Sequence, residues 1–248
     1  MKKSALSFAA IVIVTLVSAV PSSGQWSFDF ENGVALAGYN DVQIPRDAGT
    51  RFSLSKDLTL DPAYFFRLRL GFRWKDRHTL SIFAAPFRLR GAGTADRAID
   101  FNGDTFGPGV PLTGVYKFSS YRLTYRYDLV RRGRWRVGLG LTAFIRDAAI
   151  KLEGGGGSST NSNVGFVPLL NFRVLWQFAE DWGVLFEGDA AAARQGRAED
   201  VLLALQYRLN DRLALRAGYR ILEGGADVEK VYNFALVHFL GVGLTYVF

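Results

Sequence analysis

Between residue 26 and the end of the chain, apolar and polar side chains alternate one by one in segment after segment. The stretch 64–74 shows it most cleanly. Tyr64, Phe66, Leu68, Leu70, Phe72 and Trp74 fall on one parity, and Arg67, Arg69, Gly71 and Arg73 on the other. A period of two puts successive side chains on opposite faces of a strand, whereas a helix would scatter the arginines around its cylinder. The pattern recurs over 121–129, 135–145, 170–178, 182–189, 201–209 and 213–221. It predicts ten strands, near 28–44, 62–74, 78–90, 112–129, 134–152, 164–178, 182–193, 200–209, 212–222 and 232–248. Residues 26–60 divide less clearly, so eight or twelve strands also fit.

The joints come in two lengths. Lys75-Asp76-Arg77, Arg131-Arg132-Gly133, Glu180-Asp181 and Asn210-Asp211 are short, and they alternate with longer polar stretches near 45–61, 91–110, 153–163, 194–199 and 223–230. Short turns at one end and longer loops at the other predict an all-β fold, an antiparallel up-and-down transmembrane barrel with its turns in the periplasm. The alternation changes phase at Ala84-Ala85-Pro86, at Ser119-Ser120 and near Asp147-Ala148, which predicts β-bulges there.

Composition agrees with a barrel. Hydrophobic residues make up 49% of the chain and aromatics 14%, yet mean hydropathy is only +0.08. Past the N-terminus no uncharged run is long enough for a membrane-crossing helix. Trp74, Trp135, Phe178, Trp182 and Tyr207 sit beside short turns, as an interfacial aromatic girdle requires. With no cysteine, disulfides, thiolate metal sites and a cysteine-linked lipid anchor are excluded. Lys2 and Lys3, the apolar stretch Ala5 to Val20 and the exit Pro21-Ser22-Ser23-Gly24 predict an export signal over 1–24. The barrel is then expected over 25–248.

Residues 240–248 place Leu240, Val242, Leu244, Tyr246 and the terminal Phe248 on one face. This resembles the closing strand of bacterial outer-membrane β-barrel proteins. The resemblance implies an integral outer-membrane location, contact with outer-membrane lipids, and passage through periplasmic chaperones to the barrel-assembly machinery.

Net charge is +7, and its placement bears on function. Projecting the alternation inward gives lumen-facing Arg67, Arg69, Arg73, Arg122, Arg126, Arg146, Arg173, Arg208, Arg216 and Arg220, together with Arg88, Arg90, Lys117 and Lys151. Against these stand Asp128, Asp147, Glu187 and Asp189, with more acids possible on the first strand. A barrel of about ten strands is nearly filled by its own side chains, so a rigidifying charge ladder is the simplest reading. The excess of arginine leaves open entry of small anions into part of the lumen, in the sharpest form a narrow anion-selective pore, since unpaired buried charge is costly. Basic and aromatic residues lie on opposite faces, which argues against nucleic acid.

No catalytic, metal or cofactor constellation is legible. His78 adjoins the Lys75-Asp76-Arg77 turn, and His238 is in phase with Leu236 and Leu240 and lacks a neighbouring nucleophile. Glu187 and Asp189 share a face, but arginine pairing accounts for them. Gly154 to Gly157 with Ser158-Ser159-Thr160-Asn161 predicts a mobile external loop, not a phosphate loop. The expectation is a structural or narrow-channel barrel and not an enzyme. The alternatives are an outer-leaflet lipid-modifying enzyme or a surface adhesin or receptor.

Overall fold

The computed structural model describes residues 24–248, and the predicted export signal lies outside them save for Gly24. The described residues form strands β1 (Gly24–Gln43), β2 (Phe52–Ser53), β3 (Leu58–Leu60), β4 (Ala63–Trp74), β5 (His78–Ala85), β6 (Arg88–Thr94), β7 (Ile99–Phe101) and β8 (Asp104–Phe106). They continue with β9 (Pro111–Arg132), β10 (Trp135–Gly154), β11 (Gly157–Gln177), β12 (Trp182–Ala193), β13 (Gly196–Arg208), β14 (Leu213–Val228) and β15 (Val231–Val247).

Sequence neighbours pair antiparallel around a ring that closes where β1 meets β15 over Ser27↔Val247 to Gln43↔Tyr232. β5 and β6 make one wall strand interrupted at Pro86, for both pair with β9 in a single continuous register. The wall therefore has ten strands, as the alternation predicts. Closure leaves no unpaired sheet edge for lipid to cover, which a spanning sheet cannot tolerate.

The outer surface carries the apolar parity. Tyr64, Ile82, Leu141, Phe166, Leu203 and Leu240 are all more than half exposed. At the turn end aromatics pair into a girdle: Trp135 stacks on Trp176 at 5.7 Å between ring centres, Trp182 meets Tyr207 at 4.7 Å, and Trp74 stacks on His78 at 5.3 Å. Both histidines point outward, His78 to the Tyr125 hydroxyl at 2.8 Å and His238 to the Tyr219 hydroxyl at 2.5 Å.

The other end departs from expectation. The stretches 153–163, 194–199 and 223–230 are not loops. The strands run on past the apolar belt and close in two-residue turns at 155–156, 194–195 and 229–230. Gly155 and Gly156, at φ +59° and +82°, supply the left-handed pair that a tight hairpin turn requires. The segment expected to be mobile is thus a hairpin paired from Gly154↔Gly157 downward.

None of the three predicted bulges exists at its predicted place. In β9 the even residues face inward from Leu112 to Asp128, and in β10 from Gly138 to Leu152. What inverts is the polarity of the two faces, because above the membrane the outer face meets water and the inner face meets protein. True register shifts lie between Ala37 and Tyr39 of β1 and between Val137 and Gly138 of β10.

Protein fills the outer mouth. Residues 44–60 and the β7–β8 hairpin bring Leu54, Leu58, Ile99, Phe101 and Phe106 against the inward-facing wall residues Val42, Leu89, Leu112 and Leu152. Asn102 and Gly103 turn the hairpin with positive φ at both positions. Phe101 is fully buried, edge-on to Phe52 at 5.8 Å. Arg97 clamps the two segments together through Asp57 at 3.1 and 3.2 Å.

Candidate functional site: the barrel lumen

Beneath that apolar plug the inward parity presents charge. Arg67 of β4 reaches across the lumen to Asp200 of β13. Arg122 of β9 donates to Asp200 at 2.5 Å and to Asp189 at 2.7 Å. Arg220 of β14 bridges Asp200 at 2.6 Å and Glu31 of β1 at 2.8 and 2.9 Å. Arg216 takes Asp29 at 2.6 and 2.9 Å and Glu31 at 3.2 Å. Four guanidiniums thus face the four carboxylates Asp29, Glu31, Asp189 and Asp200.

Strand register explains the layer. Asp189 and Asp200 are directly opposite across β12 and β13, a like-charge pair that costs energy unless bridged. Arg122 bridges them. Thr142 Oγ1 and Asn171 Nδ2 donate to Asp189 at 2.6 and 2.8 Å, completing its shell. On the opposite wall Glu31 of β1 is in register with Arg67 of β4, and Asp29 with Arg69. Since both ends of each ion pair sit on rigid strands, the charges are neutralised across the lumen rather than by solvent. Asp200 and the arginines Arg67, Arg122, Arg216 and Arg220 are each less than a tenth exposed.

The predicted lumen residues fall into three groups. Arg67, Arg122, Arg216, Arg220 and Asp189 form the central layer. Glu187 lies just below, shared by Arg69 at 3.0 Å and Arg173 at 3.5 Å. Arg73, Arg126 and Arg173 surround the opening at the turn end. Arg146 faces inward in the outer half and donates to Asn163 at 2.7 Å. Arg208 stands apart at the turn rim, bound to Asp181 at 3.3 Å and the Glu180 carbonyl at 2.7 Å.

Four of the expected inward cations face out. Arg88 and Arg90 are exposed while Leu89 between them is fully buried, and Lys117 and Lys151 pair on the outer face with Asp147 at 2.6 Å and Glu153 at 2.5 Å. Their assignment followed the phase changes read as bulges. Asp200 also faces inward, although it lies at the start of the predicted strand 200–209, next to the stretch 194–199 expected to be a loop. Its signal was the parity shared with buried Leu202 and Ala204. These corrections reduce the apparent excess of positive charge.

Among the described residues no three metal-ligating side chains lie together. Glu187 and Asp189 are engaged by arginines, and neither histidine faces the lumen.

A closed antiparallel ring, an apolar belt, an aromatic girdle at the turn end and a polar filled lumen together define an integral transmembrane β-barrel of the bacterial outer membrane. A solved structure shares that fold. The outer membrane protease OmpT from Escherichia coli is similar with a TM-score of 0.51 at 10% identity, covering 90% of this chain and 97% of that one. Ail, the attachment invasion locus protein of Yersinia pestis, solved with the heparin analogue sucrose octasulfate, matches with a TM-score of 0.40 at 14% identity, over 91% of this chain and 99% of that one. Neisserial surface protein A matches with a TM-score of 0.34 at 17% identity, over 88% and 96%. No family model matches the chain, and no curated protein matches it.

Proposed function

We propose that the protein is a structural outer-membrane barrel with a closed, non-conducting lumen and without enzymatic turnover. The observation that carries this reading is the cross-lumen layer Glu31–Arg220–Asp200–Arg122–Asp189, in which every carboxylate is bound by guanidinium. An ion moving along the axis would have to break contacts whose partners then stay buried and unpaired, at about 3–5 kcal/mol each. The apolar plug from 44–60 and 99–106 blocks the same path a second time. This favours the filled-barrel reading over the narrow channel. Its surface meets outer-membrane lipid, and the outward row Leu240 to Phe248 on the seam strand β15 suits recognition by chaperones and assembly machinery.

Planar-bilayer recording on the refolded protein tests the reading. No discrete conductance steps are expected in symmetric or graded salt, and reproducible steps with a defined ion selectivity would overturn it. Absence of turnover is tested separately by incubating the barrel with labelled outer-leaflet lipids, which should be recovered unchanged.

A further inference from the structure

Below the central layer, at the turn end, the lumen opens into a cavity of ≈ 80 Å³ lined by Arg69, Arg73, Arg126 and Arg173 with the hydroxyls of Ser27, Thr79, Ser81 and Thr245. At about 30 Å³ per water, it holds roughly two to three waters or one small ion in their place. Its charge differs from that of the layer above. The single acid on its lining, Asp29, is already taken by Arg216 at 2.6 and 2.9 Å and by the Thr245 hydroxyl at 2.7 Å. Arg69 is bound to Glu187 at 3.0 Å.

The other three arginines are not neutralised in that way. Arg73 makes no hydrogen bond or ion pair among the described residues. Arg126 has only Asp128 at 3.7 Å, and Arg173 only the shared Glu187 at 3.5 Å, both beyond hydrogen-bonding distance. Arg73 Nε, Arg126 Nε and Thr79 Oγ1 are buried without a hydrogen-bond partner among the described residues. Arg67, Arg122 and Arg216 also leave Nε unpartnered, but each has at least one terminal nitrogen bound directly to a carboxylate. In register, Thr79 is directly opposite Arg126, while Gly138 of β10 has Arg173 on one side and Asp128 on the other. Gly138 therefore leaves the space between the two arginines clear of a side chain: a Cβ there would lie 2.8 Å from Asp128 Oδ1 and 2.9 Å from Arg126 Cδ.

Three guanidiniums and an unused hydroxyl around one small polar cavity are a donor set without an acceptor. Planar guanidinium forks match the oxygens of a tetrahedral anion, and such charge-assisted bonds are the strong ones. We propose that this periplasm-facing vestibule binds one tetrahedral oxyanion of phosphate size between Arg73, Arg126 and Arg173, with the Thr79 hydroxyl as an additional donor. The site stands whether or not the lumen conducts, since it lies wholly on the turn side of the central layer.

The test is calorimetric titration of the refolded barrel, in nonionic detergent at low salt, with inorganic phosphate. Saturable binding at one ion per chain is expected, with sulfate competing and added sodium chloride weakening it. Arg126→Gln and Arg173→Gln should each weaken binding about ten- to a hundredfold, the loss of a hydrogen bond to a charged group. Thr79→Val should weaken it about fivefold, and Lys117→Gln on the outer face should leave it unchanged. Non-saturable heats from the unsubstituted protein, or arginine variants that bind as it does, would overturn the proposal. Folding of each variant is read from heat-modifiable gel mobility. If neither arginine variant folds, Thr79→Val decides, and unaltered affinity there counts against the site.

Discussion

Asp200→Asn is the sharpest perturbation of the lumen. The carboxylate is almost wholly buried and accepts hydrogen bonds from Arg67, from Arg122 at 2.5 Å and from Arg220 at 2.6 Å. The amide keeps the volume and one acceptor oxygen but removes a full negative charge. Four arginines then face three acids, and the new NH2 group points donors at guanidiniums that can only donate. Removing one partner of a buried ion pair costs about 3–5 kcal/mol. With a urea slope of about 2–3 kcal/mol/M for a protein of this size, the unfolding midpoint should fall by about 1–2 M. The assay is tryptophan fluorescence of the barrel in lipid vesicles across a urea series, checked by the fraction running as folded on unheated gels. Lys117→Gln is the control. It breaks the pair with Asp147, both side chains 30% exposed, and should move stability by no more than about 1 kcal/mol. Adding Arg67→Met to Asp200→Asn removes the stranded charge and should recover about half of the loss or more. A midpoint shift below about 0.3 M for Asp200→Asn would refute the reasoning, for it would mean that water already solvates the layer.

Phe101→Ala should cost about 3–5 kcal/mol of local packing, because that ring is fully buried between plug and wall. The expected sign is faster external proteolysis within 44–60 and 95–110 while the heat-modifiable gel shift persists; joint loss of both would show that plug and barrel unfold as one unit. The plug is also tied down by Arg46, which bonds Asp227 at 2.7 Å near the outer end of β14, and the guanidinium holds the Asp227 carboxyl below its ordinary range. A carboxyl depressed in the folded state stabilises above the unfolded value of about 3.9 and ceases to do so as pH falls through the folded value. Proteolysis within 44–51 should therefore quicken below about pH 4, and Asp227→Asn should show the same quickening already at neutral pH. Phe248→Ala removes an exposed outward ring, so urea stability in vesicles should change by less than about 1 kcal/mol; assembled protein in outer-membrane fractions should nonetheless fall several-fold, and equal yields would dismiss a role in recognition.

Alternation alone placed most of the wall strands and decided which face lipid wets within the belt, because a pleat sends neighbouring side chains to opposite sides whatever the sheet later does. The count of ten rested on ring closure over residues 26–60. From 64–74 onward that logic places Arg67, Arg69 and Arg73 inside, and the aromatics beside Lys75-Asp76-Arg77 at the interface. It failed where the solvent changed rather than the chain. Above the belt, Lys117 and Lys151 turn outward to water while Tyr116 and Leu152 turn in against the plug, so an uninterrupted strand reads as if it had slipped by one residue. Partnership was a tertiary matter throughout. Asp200 meets Arg67 over a sequence separation of 133 residues and across the diameter of the ring, and only closure of β1 on β15 brings Glu31 to Arg220. A charge's face is set by its immediate neighbours along the strand, but whether it is neutralised depends on which strands the ring sets beside and opposite it. The central layer is therefore paired, while Arg73, Arg126 and Arg173, on strands of the same kind, are left with donors to spare.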